Sequence, residues 1–169
     1  MATPLTKRPV LRLPLSPVEF VVELLAAAGV LFSWSILLYY WSDLPASIPR
    51  HFDASGEADA WGGKGSLVAL PAIGLAIYVA MTALSRFPHI YNFPVKLTEE
   101  NVQRQYRCAR VLLAVVKAEI VWLFSYIEWR TIQTALGKAH GLGAAFLPVL
   151  LVTMTITIVV YFSLASMRR

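Results

Sequence analysis

Four long apolar runs constrain the fold of this 169-residue chain more than any other feature. They cover residues 18–41, 67–87, 111–129 and 143–167. A transmembrane helix needs roughly 20 consecutive, mostly apolar residues, and each run is close to that length or exceeds it. Hydrophobic residues make up 57% of the chain, against about 45–50% in an ordinary soluble domain. The sequence therefore predicts an all-α integral membrane protein with four transmembrane helices and one structured extracytoplasmic loop.

Capping signals set the expected bounds of these helices. Ser16, Pro17 and Glu19 have the residue types of an N-cap, a first helical position and a capping box. Thr98 is a suitable N-cap for the third helix, and no proline or glycine follows until Gly137. We expect helices at about 17–41, 67–87, 98–136 and 143–167 in a single membrane domain covering residues 16–169. The third helix would then be about 60 Å long, roughly twice the hydrocarbon thickness, so its basic first third should lie outside the hydrocarbon.

The lysines and arginines predict the orientation of the bundle. Residues 1–15 form a basic arm in which Lys7, Arg8 and Arg12 alternate with prolines. Ten lysines and arginines lie in this arm, in the C-terminal tail and around the connector between the second and third runs, where they are Arg86, Lys96, Arg104, Arg107 and Arg110. Four lie in the 42–66 loop and around the connector between the third and fourth runs, where they are Arg130 and Lys138. Because basic residues accumulate on the cytoplasmic side, we expect both termini in the cytoplasm and the 42–66 loop outside. The net charge of +5 then reports topology, and we expect no nucleic-acid partner.

The loop between the first two runs carries a closely spaced set of distinctive residue types, L-P-x-x-I-P-x-H-F-x-x-x-G-x-x-D-x-W-G-x-K, from Leu44 to Lys64. Leu70-Pro71, Asn92-Phe93-Pro94-Val95 and Thr98-x-x-Asn101 follow it. Together these residues resemble a bacterial membrane family of unknown function that is related to the SdpI immunity proteins. The resemblance implies a multi-pass protein of the bacterial cytoplasmic membrane that is not an enzyme and acts by binding. It would serve as an SdpI-like toxin-immunity factor or as an accessory subunit of a larger membrane complex.

Side-chain chemistry predicts that this loop is a folded cap. Asp59 is expected to pair with Lys64 or Arg50, and Trp61 to lie against the helix ends. The residues expected to hold the cap together are Pro45, Pro49, Gly56, Asp59, Trp61, Gly62 and Lys64. The residues expected to form its binding surface are His51, Phe52 and Glu57.

A metal site in the loop is the competing interpretation. His51, Asp53 and Asp59 offer nitrogen and oxygen ligands, but their spacing matches no established metal-binding loop, and we expect no metal. Because these ligand types are present, a metal-dependent enzyme in this loop is kept as an alternative function. We also expect no cofactor, since none of the three histidines falls inside an apolar run where haem or chlorophyll could be ligated.

Four charged residues interrupt the apolar runs, and charges at membrane depth usually pair or line a cavity. They are Glu23, Lys117, Glu119 and Glu128. Lys117 is expected to pair with Glu23 or to extend to the surface, and Glu119, near the middle of its run, is expected to be buried and paired. At about 100° per residue, Lys117 and Glu128 share one helix face, and Glu119 and Arg130 share another. A small proton- or ion-coupled transporter centred on Glu119 is the second alternative function.

Two further expectations concern neighbours. The threonines of the last run, at 153, 155 and 157, are expected to bond their own helix backbone. The expected partners are membrane lipid and another membrane protein or a peptide, and assembly as an oligomer or as a complex subunit is left open.

Overall fold

The computed structural model describes residue 5 and residues 7–167. It contains four α-helices and one antiparallel β-hairpin. The helices are α1 (Pro17–Tyr40), α2 (Ala69–Leu84), α3 (Val102–Ala135) and α4 (Phe146–Ser166), and the strands are β1 (Ser47–Phe52) and β2 (Ala58–Gly63). Short 3₁₀ turns occupy Lys64–Val68 and Pro88–Ile90. The protein is thus mostly helical, as expected, but the all-α prediction is corrected by the small sheet in the 42–66 loop.

The helix starts show where local signals decide the structure. At α1 the capping box forms: the Glu19 amide donates to Ser16 Oγ at 3.2 Å, and the Ser16 amide donates to the Glu19 carboxylate at 2.7 Å. In contrast, α3 begins at Val102 rather than near Thr98. The Asn101 side chain accepts a bond from the Thr98 amide and donates one to the Lys96 carbonyl, which fixes a turn before the helix.

The start of α4 is also later than expected, at Phe146 rather than 143. Gly141 and Gly143 have φ values of 56° and 85°. A right-handed helix cannot include such residues, so the connector between α3 and α4 extends further than its apolar composition indicates.

Three helical segments are long and apolar enough to cross a membrane: Pro17–Tyr40, Lys64–Leu84 and Phe146–Ser166. Among the described residues α3 does not join them, because Lys117, Glu119 and Glu128 interrupt its apolar part. It is nevertheless the central element, since α1, α2 and α4 all pack against it. Its 34 residues correspond to about 51 Å at 1.5 Å per residue. Four membrane spans therefore remain a prediction, whereas three candidate spans surrounding a more polar helix are observed.

The two ends of the bundle have separate hydrophobic clusters. At one end the described part of the N-terminal arm, residue 5 and residues 7–15, lies along the α2–α3 connector and the start of α3, with Leu97, Val102 and Tyr106 buried against it. The end of α4 reaches the same place, because Arg104 donates to the Leu164 carbonyl at 2.8 Å. At the opposite end Ile48 of β1 is buried among residues of α1, α3 and the segment before α2. The arm and the end of α4 therefore share one end of the bundle, and the hairpin lies at the other.

Candidate functional site

The hairpin cap, residues 47–63, is closed by a tight turn. The Asp53 amide donates to the Glu57 carbonyl at 2.9 Å. The Asp53 carboxylate accepts bonds from the Ser55 hydroxyl at 2.6 Å, the Ser55 amide at 2.9 Å and the Glu57 amide at 3.0 Å. These donors, the Ser55 hydroxyl first, lower the pKa of Asp53 below its ordinary value. Asp53 is therefore a turn residue in this structure.

The cap is docked onto the α3–α4 connector. The Leu142 amide donates to the Gly56 carbonyl at 2.7 Å. A Cβ on Gly141 would lie only 1.8 Å from that carbonyl oxygen, so the two backbones can approach only because residue 141 is glycine. Arg130 holds the connector from below, with Nε donating to the Gly141 carbonyl at 2.7 Å. The tip of the hairpin is consequently fixed to the bundle by backbone contacts.

The expected pairing of Asp59 is wrong. Its carboxylate lies 2.6 Å from His51 Nδ1 across the hairpin, not against Lys64 or Arg50. The strand register explains the difference, because it pairs His51 with Ala60 and so brings Asp59 beside the imidazole. Lys64 instead donates to the Trp41 carbonyl at 3.1 Å, and its ammonium lies 5.1 Å from the centre of the Trp41 ring. Its second acceptor is the Leu44 carbonyl at 3.5 Å, so Lys64 bonds backbone carbonyls instead of the Asp59 carboxylate.

Trp61 does not lie against the helix ends as expected. It pairs with Pro49 in the register and is 55% exposed. The stem of Arg50 takes up the space beside Gly62, where a Cβ would be 2.0 Å from Arg50 Cδ. Of the two prolines, Pro49 is buried and Pro45 is exposed.

The three residues expected to form the binding surface lie in or next to β1 and the turn. His51 and Glu57 are exposed, and Phe52 is half-buried. Within the described part of the chain, no three histidine, cysteine, aspartate or glutamate side chains are grouped closely enough to hold a metal ion. The structure brings His51 and Asp59 together. The Asp53 carboxylate instead accepts bonds from Ser55 and Glu57 within the turn.

Inside the bundle, Lys117 pairs with Glu23, as the sequence predicts. Its Nζ lies 2.6 Å from the Glu23 carboxylate and also donates to the Thr82 hydroxyl at 2.8 Å. The ammonium lies 4.9 Å from the centre of the Tyr78 ring. One lysine of α3 is thus satisfied by groups from α1 and α2.

Two more acids connect α1 with α3. Glu128 is fully buried and bonded to the Ser33 hydroxyl. Glu19, besides capping α1, lies 2.8 Å from Nε of Arg110, which is itself buried. In the sequence Arg110 contributes only to the basic count on the cytoplasmic side, and its partner is 91 positions earlier, so no local pattern indicates this ion pair.

Glu119 faces α4. It accepts a bond from Thr157, which corrects the expectation that Thr157 bonds its own backbone, whereas Thr153 does so as predicted. The other carboxylate oxygen of Glu119 is buried and has no hydrogen-bond partner among the described residues. Glu119 is half-buried and lines a cavity of about 550 Å³ between α1, α3 and α4. Glu119 is therefore hydrogen-bonded at one oxygen only, as is Glu128, and of these two acids it is the one that lines this cavity.

These features define a helical protein with three helices suited to a membrane and a docked hairpin at one end. Residues 28–75, which include the second half of α1 and the whole hairpin cap, match the model of a domain of unknown function, DUF1648. A protein of Archaeoglobus fulgidus, described as uncharacterized, is 37% identical over 78 residues. That similarity covers 41% of this chain and 42% of the archaeal protein, less than half of each. No solved structure gives a significant match.

Proposed function

We propose that this chain is a non-enzymatic membrane protein that acts by binding another membrane protein or a peptide through its hairpin cap. It would serve as an SdpI-like immunity factor against a membrane-active peptide, or as an accessory subunit of a larger membrane complex. The domain match over residues 28–75 includes the loop pattern that carries the resemblance, which supports a shared module. We place the protein in the bacterial cytoplasmic membrane with both termini inside.

The observation that carries this proposal is the docking of the cap on the α3–α4 connector. The Gly56–Leu142 bond and the close passage of Gly141 hold the tip in place. A loop that is ordered before binding loses less conformational entropy when a partner arrives. Its exposed groups include Trp61, a residue type often found among the energetically dominant contacts of interfaces.

The contacts change how the cap residues divide into scaffold and surface. His51 and Asp59 contact each other, so the proposed surface includes the pair rather than His51 alone. Trp61 joins the surface because it is exposed. Glu57, exposed and without a side-chain role in the turn, is the best single probe of binding.

Site-specific photocrosslinking tests the proposal. A photoreactive amino acid replaces Glu57 in the intact chain, expressed in its native host. The matched control places it at Glu100, an exposed acid at the opposite end of the bundle. We expect position 57, and not position 100, to yield a discrete adduct with one membrane protein or peptide. Adducts of the same kind from both positions would mean that the cap has no binding surface.

A proton- or ion-coupled transporter centred on Glu119 is the second candidate. One observation favours it: a carboxylate with a buried oxygen that lacks a partner among the described residues, on the helix at the centre of the bundle. Proton-dependent flux in liposomes that disappears in Glu119→Gln, with folding intact, would favour this candidate over the binding protein.

A further inference from the structure

A cavity beside the hairpin, called the cap cavity below, lies between Ile48–Phe52 of β1, Ala69 and Leu70 of α2, and Ile127 of α3. Its volume is about 540 Å³, and ligand pockets are usually about 300–1,000 Å³. His51 and Phe52, two residues of the proposed binding surface, are in its lining. The cavity therefore belongs to the region through which the cap is proposed to bind its partner.

The unpaired edge of β1 borders the cap cavity. Successive side chains of a strand point to opposite faces, yet every residue from Ile48 to Phe52 lines the cavity. The cavity therefore runs along the edge of the strand and not over one face. In the described part of the chain β1 pairs with β2 alone, and its backbone bonds no third element. Such an edge presents N–H and C=O groups that can pair with another extended chain.

Arg50 gives the cap cavity a positive charge. Its side chain is exposed, and none of the ion pairs among the described residues involves it. The lining holds no aspartate or glutamate, and its other ionisable side chain, His51, is already bonded to Asp59. A guanidinium pairs well with a carboxylate, often through two parallel hydrogen bonds. The charge of the lining thus complements an anionic ligand.

We propose that the cap cavity binds an extended, mostly apolar peptide segment carrying a carboxylate, which adds to β1 as a third strand. In this form of recognition main-chain bonds to the strand edge give affinity, and pockets for alternate side chains give specificity. Apolar lining residues such as Leu67 and Ile127 receive the peptide side chains, and Arg50 receives the carboxylate. This inference rests on the proposed function, because it specifies the partner of the cap.

The strand edge distinguishes a peptide from a lipid as the occupant. A hydrocarbon chain has no donors or acceptors and forms no bond with the backbone of β1. Pro49 has no N–H, so the backbone of β1 offers more acceptors than donors. We therefore expect the N–H groups of the bound peptide to contribute much of its affinity.

Synthetic hexapeptides test the proposal on the full-length protein in nanodiscs of neutral lipid. The first probe alternates valine and threonine, is acetylated, and ends in a free carboxylate. The second is amidated and carries one aspartate. Each has a neutral partner, with a C-terminal amide or an asparagine in place of the acid. Chemical shifts of the 48 and 50–52 amides, followed against peptide concentration, give the affinities, and the melting temperature reports folding.

We expect at least one acid peptide to bind about tenfold more tightly than its neutral partner, a difference of roughly 1.4 kcal/mol. Methylation of alternate peptide nitrogens should abolish binding, because it removes the donors to β1. Arg50→Gln should remove the preference for the acid peptide. The matched control is Arg86→Gln, an exposed arginine at the opposite end of the bundle, which should keep that preference.

A second variant keeps the test decisive if Arg50→Gln does not fold. Ala69→Trp fills the cap cavity from an exposed position at the start of α2 and should weaken all the peptides about tenfold or more. Ala80→Trp, exposed on the same helix but outside the lining, should not. Unchanged binding in a folded Ala69→Trp protein would overturn the proposal.

Two further results would also overturn it. One is equal affinity for acid and neutral peptides, or undiminished binding of the methylated peptide. The other is a shift of the β1 amides by dodecanoate as large as that by the peptides, which would assign the cavity to a lipid. These outcomes are separate from crosslinking at Glu57, since a discrete adduct there without peptide binding would keep the proposed function and reject strand addition.

Discussion

At the scale of single residues, Lys117 shows how this bundle accommodates a buried charge. Its side chain is 1% exposed and its ammonium contacts Glu23, whose side chain is 21% exposed. Lys117→Met leaves the Glu23 carboxylate in an apolar setting without its partner. Breaking a fully buried pair costs about 3–5 kcal/mol, and we expect somewhat less here because Glu23 reaches solvent. Unfolding in mixed micelles, followed by circular dichroism, measures the loss.

The controls for Lys117 isolate the pair from the side chain. Lys96→Met alters an exposed lysine in the α2–α3 connector and should change stability by less than about 0.5 kcal/mol. The double variant Glu23→Gln/Lys117→Met should be more stable than Lys117→Met alone, because no unpaired charge remains. If the double variant is the least stable of the set, the contact does not stabilise the bundle.

Asp53 gives a residue-scale prediction about pH. Bonds from Ser55 and Glu57 lower its pKa below the ordinary value of 3.8. A carboxyl whose pKa is lowered by folding stabilises the fold above its unfolded pKa, and that contribution disappears as the pH falls through the folded pKa. We therefore expect the turn at residues 53–57 to open in acid, below about pH 4. Chemical shifts of the Ser55 and Glu57 amides, followed against pH, measure this opening. In Asp53→Asn the acid-dependent change should vanish. A change that persists in this variant would mean that Asp53 is not its source.

At the scale of elements, the helices were predictable and the hairpin was not. The start of α1 follows from the capping box at Ser16 and Glu19, which is a signal within four residues. The strands lack a clear alternation of apolar and polar residues: β1 contains Pro49, and β2 is A-D-A-W-G-G. Prolines and glycines are typical of turns, so the local pattern indicated a loop. The hairpin is defined by the burial of Ile48 and by docking on a connector some 85 positions later. No local sequence pattern reports either contact.

Contacts between residues that are far apart in the sequence also limit what the sequence indicates about the sites. The Lys117–Glu23 pair was predictable because these two opposite charges interrupt apolar runs at similar depth. The Thr157 bond to Glu119 and the Gly141 approach to Gly56 were not. A threonine in a helix and a glycine in a connector have common local roles, and only the tertiary arrangement assigns these two to distant partners.

The docking of the hairpin cap yields an element-scale prediction with a built-in control. Gly141→Ala would place a Cβ 1.8 Å from the Gly56 carbonyl oxygen at a φ of 56°. Gly137→Ala meets a similar φ, 69°, with no atom within 4 Å, so it incurs only the left-handed strain of about 1–2 kcal/mol. We expect Gly141→Ala to lose roughly twice as much stability and to increase hydrogen exchange in residues 53–57. Equal losses in the two variants would mean that the cap is not held by this contact.

At the scale of the whole molecule, polar groups are concentrated on the central helix. Buried polar residues of α3 include Gln105, Arg110, Lys117, Ser125, Glu128 and Thr131. Groups of the surrounding helices and the N-terminal arm bond many of them, and the exposed side chains of α1 and α4 are largely apolar. A hydrocarbon environment would cover those apolar faces while α3 keeps its charges paired inside. This arrangement explains how α3 can share a membrane domain without being apolar enough to be recognised as a span.

The last prediction concerns the orientation of this molecule in the membrane. The N-terminal arm and the end of α4 share one end of the bundle, as the bond from Tyr106 to the Pro9 carbonyl and that from Arg104 to Leu164 show. Most lysines and arginines lie at that end, so it should face the cytoplasm. In a Cys108→Ala background, Ser55→Cys in the hairpin turn should react with an impermeant thiol reagent in intact cells. Lys7→Cys, exposed in the arm, should react only after permeabilisation, and labelling in the reverse pattern would invert the orientation.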